Sequence, residues 1–126
     1  MIDVVGRINN LNIVVVDDDE MSANLLVMIL KKYGCKATAF YDAFTAIESL
    51  KAKMPDIVFL DIDMAEINGF EAAKKIRVIQ SKKTPVLVGL SGAGRADDFE
   101  MALSAGFDHY LLKPLDFDLL HNIIRQ

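Results

Sequence analysis

Apolar runs that alternate with segments of helical periodicity constrain the fold of this 126-residue chain more than any other feature. Ile13–Val16 and Ile57–Leu60 are uninterrupted apolar runs rich in β-branched residues, which is typical of strands buried on both faces. A helical segment follows each run, and parallel strands joined through helices need long right-handed crossovers. We therefore predict an α/β protein with an open, doubly wound (βα)5 parallel sheet.

Five strands and five helices are predicted along the chain. The strands are Ile13–Val16, Cys35–Tyr41, Ile57–Leu60, Val86–Leu90 and Tyr110–Leu112, and the helices are Met21–Lys32, Ala43–Lys53, Phe70–Gln80, Ala96–Ser104 and Asp116 to about Arg125. In the first helix the apolar residues at helical spacing are Met21, Leu25, Met28 and Ile29. In later helices, the apolar residues expected to face inward are Phe44, Ile47, Leu50, Ala72, Ala73, Ile76, Ile79, Phe117, Leu120 and Ile124. Arg77 is expected to face solvent with Glu71, Lys74 and Lys75.

The length fits one domain, which we place at residues 11–126, with residues 1–10 as an extension or the end of a linker. Apolar residues make up 52% of the chain and charged residues 25%, which favours a packed core over disorder. A single cysteine excludes an internal disulfide and a cysteine-based zinc cluster.

Charge and hydropathy exclude several classes of partner. The net charge of −4 and a pI near 5.0 argue against direct binding to nucleic acid or to an anionic membrane. The longest apolar stretch, Leu25–Leu30, is far too short for membrane insertion. Residues 1–7 carry an early acid and do not form a secretory signal, so we expect a cytoplasmic location.

Reactive side chains follow four of the five predicted strands. Asp17 and Asp18 follow the first, Asp61 and Asp63 the third, Ser91 the fourth and Lys113 the fifth. Parallel sheets of this kind bind ligands at the carboxyl ends of their strands. Taken alone, each group is compatible with a helix cap, a turn or a solvated lysine, but the joint placement favours a site. With strand order 2-1-3-4-5, the first and third strands are neighbours and their aspartates must crowd together.

Crowded carboxylates repel one another unless a cation neutralises them, and Mg²⁺ is the hard divalent ion that prefers such oxygen ligands. Asp61, at the centre of the sheet, is then a candidate nucleophile that forms an aspartyl phosphate. Mg²⁺ and Lys113 would neutralise the phosphoryl oxygens, and the Ser91 hydroxyl would donate a hydrogen bond to one of them.

Five segments of the chain, in order, resemble receiver domains of two-component response regulators. They are Val14–Asp18, Pro55–Asp61, Asn68–Gly69, Val88–Gly92 and Leu112–Pro114, and the resemblance extends from about Asn12 to Ile124. It implies a flavodoxin-like fold with strand order 2-1-3-4-5. The segment Gly106–Pro114 is similar to receivers attached to hybrid sensor kinases.

The resemblance also implies roles for the residues at the strand ends. Asp61 would accept a phosphoryl group from the phosphohistidine of a histidine kinase or histidine phosphotransfer protein. Asp18 and Asp61 would bind Mg²⁺ directly, Asp17 through a water molecule, and Asp63 through its backbone carbonyl. Lys113 would contact the phosphoryl group, with Ser91 and Tyr110 as the switch residues.

The implied output is a change of shape on the face formed by the fourth helix, fifth strand and fifth helix, which a downstream effector would bind. The chain would be a monomer or weak dimer, and a phosphoacceptor with at most self-phosphorylation and self-dephosphorylation activity. The sequence departs from the family pattern at three positions near the predicted site. Ala65 replaces the usual proline, which predicts a more mobile loop. Asp63 adds a side-chain carboxylate, and Ala93 offers no polar group.

Two other functions stay open at this point. Ile57–Asp63 also fits the strand and paired aspartates of haloacid-dehalogenase-like phosphatases, with Asp61 as nucleophile and Asp63 as general acid. Against this, that strand normally comes first in its domain, and the chain leaves no room for a cap domain. The second alternative is a receiver-like interaction module that works without phosphorylation.

Overall fold

The computed structural model describes residues 11–92 and 96–125, within which the chain alternates strictly between strands and helices. The elements are β1 Asn12–Val16, α1 Glu20–Lys32, β2 Lys36–Phe40, α2 Ala43–Ala52, β3 Ile57–Asp61, α3 Gly69–Arg77, β4 Val86–Ser91, α4 Ala96–Ala105, β5 His109–Leu112 and α5 Phe117–Ile124. The predicted extension at residues 1–10, and Ala93 with the rest of 93–95, lie outside the described residues. The domain boundary at residue 11 stays a prediction.

All five strands form one parallel sheet in the order β2-β1-β3-β4-β5, which confirms the predicted α/β architecture. β1 and β3 are direct neighbours, and Val16 lies opposite Leu60 in their register. The residues that follow Val16 and Leu60 therefore emerge side by side at the carboxyl edge of the sheet.

The sheet separates two apolar cores, because successive side chains of a strand point to opposite faces. One core contains Val14 and Val16 of β1 with buried residues of α2, α3 and α4. The other contains Ile13 and Val15 with buried residues of α1 and α5. The strands are thus apolar on both faces, as the uninterrupted runs in the sequence indicate.

The face of α1 that packs on the sheet is not the face formed by Met21, Leu25 and Met28, which the sequence pattern indicates. Ala23, Leu26 and Leu30 are buried, whereas Met21 is 83% exposed. Leu25 and Met28 are exposed as well. α1 is apolar around most of its circumference, and the stripe with the small Ala23 lets the helix approach the sheet closely.

Two aromatic residues expected to face inward point outward instead. Phe44 on α2 is 73% exposed and Phe117 on α5 is 54% exposed. On α2 the residues against the sheet are Ala43, Ala46 and Leu50, again with small side chains at the contact. The remaining inward residues of α3 and α5 are buried or half-buried as predicted.

The sequence predicts that Arg77 faces solvent, but its side chain is partly buried, and α3 ends at Arg77 rather than at Gln80. Its Nε and Nη1 donate hydrogen bonds to the backbone oxygens of Gly106 and Pro85 at 2.9 and 2.8 Å, and Nη2 lies 2.8 Å from Asp108 Oδ2. Gly106 has a φ of +105°, and a Cβ there would lie 2.8 Å from the Arg77 side chain. Arg77 therefore joins the end of α3 to the starts of β4 and β5.

No helix of the described ranges 11–92 and 96–125 is both long enough and apolar enough to cross a bilayer.

Replacing Arg77 with alanine should lower the free energy of unfolding by about 2–4 kcal/mol, because two partly buried backbone oxygens lose their donor. Lys74→Ala is the matched control on the same helix, where the ion pair to Glu71 is exposed and 3.8 Å long, and it should change stability by less than about 0.5 kcal/mol. Urea denaturation of both variants measures the difference. Equal midpoints for the two variants would contradict this role of Arg77.

Candidate functional site

Three aspartates meet at the carboxyl edge of the sheet, where the sequence predicts them. Asp17 and Asp18 follow β1, Asp61 ends β3, and one carboxylate oxygen from each lies within 4.8 Å of the others. Asp17 and Asp61 are buried, at 2% and 4% exposure, whereas Asp18 is exposed. The cluster therefore has a buried floor and one side open to solvent.

Lys113 supplies positive charge to this cluster from the end of β5. Its Nζ lies 3.3 Å from Asp17 Oδ2 and 3.6 Å from Asp61 Oδ1. Its backbone N–H donates to the oxygen of Ser91 at 2.8 Å, which fixes the ends of β4 and β5 together. The sequence predicts this placement, since Lys113 follows the fifth strand directly.

Burial and crowding shift the protonation of these groups. The pKa of the Asp61 carboxyl is raised to about 6, first because it is buried and then because the Asp17 carboxylate lies beside it; the Asp63 N–H and Lys113 act in the opposite direction. Burial alone would lower the pKa of Lys113, but the carboxylates of Asp61 and Asp17 outweigh it and raise that pKa. The site is thus short of positive charge.

The donor set fits a hard divalent cation. Asp17, Asp18 and Asp61 offer only carboxylate oxygens, which suit Mg²⁺. A cation among them would offset both the burial of Asp61 and the repulsion from Asp17, which together raise the pKa of Asp61. These three residues could therefore hold Mg²⁺, with Lys113 Nζ close to both Asp17 and Asp61.

Asp19 belongs to the start of α1 rather than to the cluster. Its carboxylate accepts hydrogen bonds from the Met21 N–H at 3.1 Å and the Ser22 hydroxyl at 2.9 Å, which caps the helix. Its own N–H donates to Asp17 Oδ1 at 2.9 Å. Of the three consecutive aspartates, Asp19 therefore caps the helix, whereas Asp17 and Asp18 belong to the site. The sequence alone does not distinguish these two roles.

The loop from β3 to α3 packs its backbone against the cluster. The Asp63 N–H donates to Asp61 Oδ1 at 3.1 Å, and the Ala65 N–H donates to Asp18 Oδ2 at 3.0 Å. At the end of this loop, a Cβ on Gly69 would lie 2.6 Å from Ile62 Cα, so only glycine lets α3 start this close to β3. The hydrogen bond from the Ala65 N–H to Asp18 was not predicted from the sequence. The one signal for it was that residue 65 is not proline and therefore keeps its N–H.

The Asp63 side chain reaches the loop after β4. Its Oδ2 accepts a hydrogen bond from the Gly92 N–H at 3.3 Å. Ser91, which ends β4, is fully buried, and Tyr110 of β5 is half-buried against the core on the α3 side. The two predicted switch residues thus lie on adjacent strands, with Ser91 at the carboxyl end of β4 and Tyr110 opposite Gly89.

An apolar groove of about 350 Å³ begins at the acidic cluster and runs between α1 and the segment after β5. Asp17 and Lys113 border it, and its apolar lining is Leu25, Leu26, Ile29, Leu90, Pro114, Leu115 and Phe117. Leu25 and Phe117, which are both exposed, line this groove, and the sequence did not predict it.

Solved structures that align with this chain include signalling domains. A two-component response regulator from Clostridium difficile aligns with a TM-score of 0.84 at 26% identity, covering 91% of this chain and 93% of that chain. Two further structures show the same fold. One is the receiver domain of the Pseudomonas aeruginosa sensor histidine kinase PA1611 with a magnesium ion coordinated in the active site cleft (TM-score 0.82, 23% identity, 92% and 95% covered). The other is a co-crystal of the Saccharomyces cerevisiae histidine phosphotransfer signaling protein Ypd1 with the receiver domain of Ssk1 (TM-score 0.83, 24% identity, 92% and 87% covered).

Sequence relatives include a whole protein of similar size and longer regulators. An uncharacterised 14.6 kDa protein from Leptolyngbya boryana is 32% identical, covering 92% of this chain and 88% of that protein. The transcriptional regulatory protein ZraR from Klebsiella oxytoca is 36% identical over 86% of this chain, which spans only 24% of ZraR.

The family model described as the response regulator receiver domain matches residues 13–125, nearly the whole described chain. Receiver domains are signalling phosphoacceptor domains of two-component and phosphorelay systems rather than enzymes. With this match, the sheet order and the acidic cluster at its carboxyl edge, the chain belongs to the response regulator receiver domain family.

Proposed function

We propose that Asp61 is the phosphoacceptor and that it takes its phosphoryl group from a phosphohistidine in the presence of Mg²⁺. The observation that carries this proposal is the position of Asp61: a buried carboxylate at the end of the central strand, with Lys113 Nζ 3.6 Å away and two further aspartates within 4.8 Å. Mg²⁺ on Asp18 and Asp61, with Asp17 acting through water and the Asp63 carbonyl as a further ligand, would neutralise the phosphoryl oxygens.

In the transfer step, an Asp61 carboxylate oxygen forms a bond to phosphorus while the bond from phosphorus to the histidine nitrogen breaks. The electron pair of that bond stays on the departing imidazole, which takes up a proton from solvent. Lys113 balances the charge that gathers on the phosphoryl oxygens, and the Ser91 hydroxyl donates a hydrogen bond to one of them. The contacts that hold Asp61 and Lys113 beforehand reduce the reorganisation needed for transfer.

The groove between α1 and the segment after β5 is the proposed docking surface of the phosphodonor, a histidine kinase or a histidine phosphotransfer protein. It is apolar and continuous with Asp17 and Lys113, so a helix seated in it would bring a histidine side chain to the site. The yeast Ypd1–Ssk1 pair supports a donor of this kind.

The proposed output passes through Ser91 and Tyr110. Attraction of the Ser91 hydroxyl to the phosphoryl group would move the segment after β4, and Tyr110 would repack in response. An effector would read the change on the face formed by α4, β5 and α5. Exposed apolar side chains on these elements fit such a surface, and they are Phe99, Leu103, Leu112 and Leu119.

The alternatives are not favoured. A phosphatase would need the Asp63 carboxyl as a general acid, but Asp63 Oδ2 accepts the Gly92 N–H, and the family match indicates a phosphoacceptor. A module independent of phosphorylation leaves the juxtaposed Asp61 and Lys113 without a role. For the whole protein, we propose a cytoplasmic, monomeric or weakly dimeric regulator that neither binds nucleic acid directly nor enters a membrane.

Incubation with acetyl phosphate and Mg²⁺ should add one phosphoryl group to the chain, because Asp61 is the nucleophile. Asp61→Asn should add none, whereas Asp42→Asn, which changes the partly exposed N-cap of α2 away from the site, should behave like the parent. Intact-mass spectrometry measures the addition. Equal phosphorylation of Asp61→Asn would place the acceptor elsewhere.

Leu25→Asp should slow phosphotransfer from phosphorylated yeast Ypd1 by about tenfold or more, since a charge would enter the apolar groove. Transfer from acetyl phosphate should be unchanged because no docking is needed. Met28→Asp is the matched control: Met28 is on the same helix, 59% exposed against 58% for Leu25, and does not line the groove. Equal rates for the two variants would contradict the docking proposal.

With beryllofluoride and Mg²⁺, the NMR resonances of Tyr110 and Phe99 should shift in the parent. Ser91→Ala should abolish these shifts but retain those of the Asp63 amide beside the site, because the hydroxyl carries the signal away from Asp61. Ser104→Ala, on the exposed side of α4, should behave like the parent. Unchanged resonances of Tyr110 and Phe99 in the parent would show that the output follows another route.

A further inference from the structure

The Ala65 N–H donates a hydrogen bond to Asp18 Oδ2 at 3.0 Å, which joins the β3–α3 loop to the end of β1 across 47 residues of sequence. Asp18 is the exposed member of the acidic cluster, so packing does not hold its carboxylate as it holds those of Asp17 and Asp61. The bond from Ala65 therefore restrains a side chain that would otherwise sample several rotamers.

This donor exists because residue 65 is not proline. Proline has no backbone N–H, and a chain with proline at this position could not make the bond. From the sequence alone, alanine here predicts a looser loop. The structure shows a compensating contact, in which the freed N–H ties the loop to Asp18.

The same loop provides a second, parallel contact. The N–H groups of Asp63 and Ala65, two residues apart, each point at a different carboxylate of the cluster, Asp61 and Asp18. A carboxylate oxygen has two lone pairs, so an oxygen that accepts an N–H can still bind a cation. The loop backbone can thus hold both carboxylates in place without taking them from the metal.

We propose that the Ala65 N–H is a positioning group for the metal site, which holds the exposed Asp18 carboxylate in the orientation that binds Mg²⁺. This inference rests on the proposed Mg²⁺-dependent function. Hydrogen bonds to metal ligands commonly change metal affinity by about 10–100-fold; since this one is exposed, we expect about a three- to tenfold effect.

Ala65→Pro removes the N–H, and Ala65→Gly keeps it while making the loop more flexible. Mg²⁺ binding measured by isothermal titration calorimetry should weaken about three- to tenfold in Ala65→Pro and stay within about twofold of the parent in Ala65→Gly. If loop stiffness mattered instead, proline would strengthen binding and glycine would weaken it. That result, or equal affinities for proline and glycine, would overturn the inference.

A second measurement does not depend on how Ala65→Pro folds. In the parent, the Ala65 amide proton should resonate downfield and show a small temperature coefficient, as a proton bonded to a carboxylate does. In Asp18→Ala it should move upfield with a larger coefficient, while the amide of Glu71, which donates to the Asn68 side chain that caps α3, stays unchanged. An unchanged Ala65 amide would overturn the inference.

The two levels of the hypothesis fail differently. If the parent itself binds no Mg²⁺, the proposed metal site is wrong. If the parent binds Mg²⁺ but the proline variant binds it equally well, the metal site stands and the positioning role of Ala65 is wrong.

Discussion

The repulsion between carboxylates at one edge of the sheet is the constraint on which the rest of this structure depends. Asp17 and Asp61 are buried side by side because β1 and β3 are neighbouring parallel strands that end at the same level. Lys113, brought from the end of β5, offsets part of that charge at 3.3 and 3.6 Å. Burial and, after it, the Asp17 carboxylate raise the pKa of Asp61, and a cation in the site would offset both effects.

Backbone N–H groups organise the cluster as much as side chains do. Amides of Asp19, Asp63 and Ala65 each donate to a different carboxylate, so the start of α1 and the β3–α3 loop set the orientation of all three. Gly69 permits this arrangement, because any side chain there would push α3 away from the end of β3. The site is therefore built by the ends of elements, whereas the strands only place them.

The way the helices pack on the sheet also leaves apolar side chains exposed on the surface. Where a helix turns a small residue such as Ala23 or Ala46 toward the sheet, its larger apolar residues remain on the outside. Leu25 then lines a groove that leads to Lys113. Phe44 is an exposed residue of α2, on the opposite face of the sheet. Exposed apolar residues on these helices are thus a consequence of close helix–sheet contact. Leu25 differs from Phe44 in that it lines a groove that also includes the site residues Asp17 and Lys113.

Alternation of apolar runs and amphipathic segments determines the strands, their parallel sheet and the carboxyl edge at which Asp17, Asp61 and Lys113 lie, because parallel βα units have few ways to pack. The order of the strands is what the family resemblance implies. The sequence does not determine which stripe of α1 or α2 is buried, since both helices are apolar on more than one side and the contact distance to the sheet decides. Arg77 and the Ala65 N–H likewise acquire their partners from segments distant in the chain. Local pattern therefore determines which elements form and where their ends lie, and the tertiary structure alone decides which donors and acceptors meet there.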